Sequence, residues 1–264
     1  MNIFLRELKA NFRSLLIWGG VVILFVIVGV SKFSAYYNNP DLLDTLNSLP
    51  QQVLTILNLQ AFNLTTVSGF YGIMFLYFAL LLSIAAAMWG ADIIAKEQRD
   101  KTVEFSLTLP VTRSRVVISK TLAALVNCVL LLLITWGISV AATTNYQPDS
   151  AFYKFLALSM AALFLLQLVF LSIGVFIGTA LKRYKMASST ALFVLLGTYF
   201  LSVVVTLNSS LDFLKYLTPF MYFDPAELLH QSRFDPVFIG LSLVIVAVAV
   251  TGARIAYNRR DLYI

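Results

Sequence analysis

His230 is the single histidine of the 264-residue chain and Cys128 its single cysteine. A structural zinc site takes about four Cys or His ligands and a catalytic one about three protein ligands. No group of His, Cys and carboxylate residues here has metal-ligand spacing. Cys128 lies in an apolar run with no second cysteine to pair with, so a disulfide scaffold is excluded. There is no glycine-rich loop to cradle a phosphate. The long apolar runs carry almost no charge away from their ends, which leaves an intramembrane carboxylate pair or a proton relay without residues. A carrier driven by protons or sodium is poorly served for the same reason, since coupling ions call for buried carboxylates or broken helices. The polar side chains inside the runs are Asn127, Thr135, Gln167, Ser172, Thr198 and Ser202. Hydrogen bonding between helices accounts for such groups at about 1 kcal/mol each. Asn127, Gln167 and the amphipathic Tyr199 are the candidates for contact with a transported molecule. Gly174-x-x-x-Gly178 permits close helix packing, either within the chain or across a seam between subunits.

The elements that hold these residues follow from composition. The chain is 59% hydrophobic and 12% charged, against roughly 45–50% and about 25% in soluble domains. So little charge cannot cover so much apolar surface, which excludes a soluble enzyme and a disordered chain. Six runs have the roughly 20 apolar residues that cross a bilayer: 15–36, 69–91, 121–143, 155–181, 187–207 and 237–257. None has the alternation of a barrel strand, so the fold class is all-α, a polytopic membrane protein of six transmembrane helices. The first run is too long for the apolar core of a signal peptide, carries Trp18 near its start, and lacks an obvious small-x-small cleavage site.

Charge gives the orientation. Fifteen of the 19 Lys and Arg, but six of the 13 acids, fall in 1–14, 92–120, 182–186 and 254–264. The overall +6 thus divides into +9 on one side and −3 on the other. The positive-inside rule puts both termini in the cytoplasm. The charge records topology, and no nucleic-acid partner is expected. The chain reads as one domain, 1–264. Residues 1–14, with Ile3, Phe4, Leu8 and Phe12 at helical spacing among Arg6, Lys9 and Arg13, form an amphipathic interfacial helix in contact with membrane lipid. The outer loops 37–68 and 208–234 are too polar to span and too apolar for free solvent. The second carries Phe213, Tyr216, Phe220, Tyr222 and Phe223, rings suited to the headgroup zone.

The loop 92–120 is the most informative segment. The second span continues as helix to about Gln98. Thr102 can then cap a short helix, with Glu104 favourably placed against its N-terminal dipole. Phe105, Leu107 and Leu109 make that helix apolar, and Pro110 stops it. Thr112 can cap the next helix, which carries Arg113 and Arg115 and enters the third span after Lys120. A plain connector has no need of a short apolar helix held between two caps. Such a helix is suited to a groove on a cytoplasmic partner.

The pattern Lys96-Glu97…Thr102-x-Glu104…Leu107…Leu109-Pro110-Val111-Thr112-Arg113…Lys120 resembles the loop between the second and third spans of type 2 ABC transporter permeases. The amphipathic start, the proline-bearing first outer loop, Thr218-Pro219-Phe220…Tyr222-Phe223-Asp224 and the Arg259-Arg260-Asp261 end are similar to the small six-span branch, so the resemblance covers nearly the whole chain. It departs at Lys101 and Ser119, where the family has glycines; Lys101 argues against a tight turn before the short helix. The resemblance implies a permease subunit paired with a second one, as homo- or heterodimer, above two copies of an ATP-binding cassette subunit. It implies a coupling helix at Thr102–Leu109, with Glu97 and Arg113 as polar anchors and Phe105 and Leu107 as apolar ones. It implies that the chain binds no cofactor and is no enzyme, with ATP and Mg held by the partner. It places the chain in a bacterial inner membrane. The apolar, aromatic spans suit a hydrophobic or amphipathic cargo leaving the cell: a toxin-like or antimicrobial peptide first, with a lipid or a drug as alternatives. A non-ABC anchoring or assembly protein is the competing class.

Overall fold

The computed structural model describes residues 3–37, 39, 50, 53–54, 62–99, 113–181 and 183–258. Among these are the helices α1 (Ile3–Tyr36), α2 (Val67–Arg99), α3 (Arg113–Thr143), α4 (Ser150–Ala180), α5 (Ala187–Leu207), the short α6 (Pro225–Gln231) and α7 (Pro236–Asn258). All but α6 are long and apolar enough to cross a membrane, and the described residues contain no strand. The chain is an all-α polytopic membrane protein. The α5 helix coincides with the predicted run, and α2 reaches Arg99, matching the predicted continuation to about Gln98.

Residues 3–14 are helical, and they run into the first span as one unbroken helix. At about 1.5 Å per residue, the 34 residues of α1 exceed the ~30 Å hydrocarbon core. The face they bury is not the apolar one that the spacing predicts. Glu7, Asn11, Leu15, Gly19, Val22 and Val26 form the buried stripe, while Leu5 and Phe12 are exposed and Phe4 and Leu8 half-buried. A buried partner for Glu7 on another helix causes the rotation.

The centre of the bundle is α2 against α4, the most extensive helix contact. The two run side by side in the same direction: Gly174 lies on Ala87 and Gly178 on Ala91, backbone against backbone, and Gly90 returns the contact onto Leu171. A Cβ on Gly178 would stand 2.6 Å from the Ala91 carbonyl oxygen, closer than two atoms can come. The Gly174-x-x-x-Gly178 motif is therefore an internal seam. The α1 helix leans on α3, α7 on α4, and α5 on α2. Outward-facing Ile17, Phe193 and Val248 leave the outer surfaces of α1, α5 and α7 apolar, as lipid contact requires.

On the side opposite the N-terminus, acids cap helices. Asp149 accepts a hydrogen bond from the Phe152 amide (2.8 Å), Asp224 from Ala226 (2.9 Å) and Asp235 from Val237 (2.8 Å). The aromatics of 208–234 divide. Phe213 and Tyr216 are exposed as the headgroup reading predicts, whereas Tyr222 and Phe223 are buried. The Tyr222 hydroxyl donates to the Tyr216 carbonyl, and burial pushes its pKa up to about 12. Most of the loop 37–68 lies outside the described residues.

The seam sets a test. Gly178→Leu should cost roughly 1–3 kcal/mol through overpacking, read as a lowered melting temperature in detergent. Gly240→Leu, whose Cβ would meet nothing within 4 Å, should leave melting unchanged.

Candidate functional site

The two helices that flank residues 100–112 carry the site. The α2 helix ends at Arg99 and α3 begins at Arg113. Two turns into α3, Lys120 is only 1% exposed. A buried ammonium needs partners. Lys120 Nζ donates to the Ile93 carbonyl of α2 at 2.9 Å and stands 3.3 Å from Glu7 Oε1 of α1. Glu7 is itself buried, and Arg6 Nη2 lies 3.3 Å from the same oxygen. A second tie joins α1 to α2, where Trp89 Nε1 donates to Ser14 Oγ at 2.9 Å. Both arms of the α2–α3 hairpin are thus fastened to the first turns of α1. Breaking such a pair by removing one charge costs about 3–5 kcal/mol, because the other is left buried alone. Sequence reasoning placed Lys120 in the loop pattern but assigned it no partner, and it missed Glu7. A signal was available: Glu7 is the only acid among the first forty residues.

Of the predicted docking residues, Thr102, Glu104, Phe105, Leu107 and Pro110 lie outside the described residues. Glu97 falls in the last turn of α2, and Arg113 is the first residue of α3. The three predicted pathway residues stand in different surroundings. Asn127 is buried on α3 beside a groove against α1, and its Nδ2 has no hydrogen-bond partner among the described residues. Gln167 is buried on α4 with neither amide atom partnered among the described residues. Tyr199 of α5 packs its ring 5.4 Å from Phe220, which also lies 5.1 Å from Phe170. The described residues contain no group of His, Cys and carboxylates able to hold a metal. The geometry is mechanical: a hairpin whose ends are braced to a neighbouring helix.

At the opposite side, a cavity of about 620 Å³ opens between the end of α5 and the start of α7. Its walls combine the rings of Tyr216, Phe220, Tyr222 and Phe238 with the carboxylates of Asp212, Asp224, Glu227 and Asp235. Asp212 holds Lys215 at 2.7 Å, and that hydrogen bond raises the lysine's pKa.

The model of one family, described as ABC-2 family transporter protein, matches residues 1–262. The chain belongs to this family. No curated protein matches it. As an ABC-2 family member it is a transmembrane subunit of an ABC transporter, and the family implies association with an ATP-binding cassette subunit. The resemblance of the 92–120 pattern agrees with that assignment, which covers nearly the whole sequence.

The brace makes a thermodynamic prediction. Lys120→Met should lower stability by up to about 3–5 kcal/mol, since the buried Glu7 then keeps only the half-buried Arg6 as countercharge. Adding Glu7→Leu should recover much of the loss. A thermal-unfolding double-mutant cycle in detergent checks the coupling.

Proposed function

We propose that the chain is the permease subunit of an ATP-driven exporter, working as one of two permease subunits above two ATP-binding cassette subunits. The observation that carries this reading is the bracing of α2 and α3 to each other and to α1, next to the segment 100–112. In this reading, residues 102–109 form the coupling helix. Thr102 and Glu104 set its N-terminus, Phe105 and Leu107 enter a groove of the partner, and Pro110 ends it. Glu97 and Arg113 anchor its two flanks. ATP and Mg belong to the partner, whose closure pushes on the loop. Because Lys120 holds the Ile93 carbonyl, α2 and α3 respond as one body. Glu7 and Ser14 take α1 with them. The glycine seam passes the movement on to α4.

For cargo we favour an amphipathic peptide moved outward across a bacterial inner membrane, with both termini cytoplasmic. The support is the cavity at the acidic side, whose aromatic rings suit apolar side chains and whose carboxylates suit basic ones. In the exporter, Asn127, Gln167 and Tyr199 supply polar contacts along the route.

Two measurements test the reading. Glu104→Arg with Phe105→Ala should abolish co-purification of the ATPase and lower transport at least tenfold, with the melting temperature unchanged. Retained association and transport would remove the docking role. In liposomes holding both subunits, basic amphipathic peptides should accumulate with ATP and be indifferent to an uncoupler. Transport of lipids or drugs but not peptides would replace the cargo, and transport run by an ion gradient would overturn the ABC reading of this subunit's work.

A further inference from the structure

On the side of the bundle where α1 meets α3, two grooves of about 520 and 610 Å³ share Phe12, Leu15 and Leu130 and so form one trough along both helices. The α1 wall repeats every three or four residues. Lys9 and Arg13 stand at one end, one turn apart, and Leu16, Gly20 and Ile23 follow. The α3 wall is apolar, except for the buried Asn127. The trough is open at Gly20, where a Cβ would meet nothing within 4 Å, and Gly19 faces the Ile134 side chain.

Length and charge identify what fits. From Phe12 to Ile23 the wall runs about 16 Å at ~1.5 Å per residue. Half of a ~30 Å hydrocarbon core is about 15 Å, the depth of one leaflet. The two cations therefore sit at headgroup level, above a trough one acyl chain deep. Among the described residues Lys9 and Arg13 enter no ion pair, while Arg6 and Lys120 both lie on Glu7. Both are exposed on stems that reach along the apolar wall, so the charged heads are placed for a phosphate.

We propose that this trough binds an anionic phospholipid, one acyl chain lying along Leu16, Gly20 and Ile23 against Leu130 and Leu133, and the headgroup held by Lys9 and Arg13. A zwitterionic lipid of the same chains fills the trough but lacks the net charge. The proposal requires only that the chain spans a membrane, not the export reading.

Native mass spectrometry of the full chain in mild detergent, with phosphatidylglycerol and phosphatidylcholine of identical chains supplied equally, tests it. Each basic residue near an anionic headgroup contributes about 1 kcal/mol, so two give about a thirtyfold preference for phosphatidylglycerol. Lys9→Gln with Arg13→Gln should erase that preference and leave phosphatidylcholine retention unchanged. Gly20→Phe should lower retention of both lipids at least tenfold at an unaltered melting temperature. Equal retention by the unsubstituted chain, or a preference surviving in the double variant, overturns the proposal. So does efficient disulfide linkage of two chains through Gly20→Cys, which would give the trough to a second copy. Failure to link there supports the lipid.

Discussion

Lipid tails are as apolar as leucine, so no hydrophobic force draws one spanning helix to another. What holds this bundle is the close approach of two backbones. Gly174 and Gly178 of α4 lie directly on Ala87 and Ala91 of α2, and Gly90 admits Leu171 in return. The remaining helices are arranged around that pair: α5 rests on α2, α7 on α4, and α3 touches both. The lateral helices are the exposed ones, and the buried alanines Ala85, Ala86, Ala87 and Ala91 belong to the centre. Small residues are concentrated where packing is tightest because dispersion between close surfaces is the main attraction there.

Charge works at the two ends in different ways. At the acidic side, Asp149, Asp224 and Asp235 each satisfy an amide at a helix start, so three of the seven acids of that side serve as local caps. At the basic side the decisive contact is long-range and buried. Lys120, Glu7 and the Ile93 carbonyl join three helices in one polar knot. The first kind of contact defines where helices begin. The second defines how helices stand relative to one another, and for a transport subunit that is the property a partner would act upon.

The difference between those two kinds of contact also explains what could be read from sequence. Spans are a local property of about twenty residues, and α5 coincides with its predicted run while α2 continues past the membrane as its charge pattern implies. Glycines four apart announce close packing, but only the fold shows that the surface opposite Gly174 is Ala87 rather than a second subunit. Glu7 was hidden because its partner is far along the chain; local periodicity assigned residues 1–14 an apolar face, and one ion pair turned another face inward. Residue type assigns Tyr222 and Phe223 to the headgroups, whereas tertiary packing buries them against Phe238 and Phe234. The docking reading rests on caps and a proline in the sequence alone, since its residues 102–110 lie outside the described ones.

The distance between Glu7 and Lys120 has a consequence in time. The two are 113 residues apart, and synthesis proceeds at about 5–20 residues per second. Lys120 thus leaves the ribosome roughly 6–23 seconds after Glu7. Throughout that interval an acid destined for a dry site must remain at the wet surface, since burial alone is prohibitive. The apolar length of α1 is enough to insert it, but its final rotation has to await the third helix. The first element made is fixed only once the third has been made.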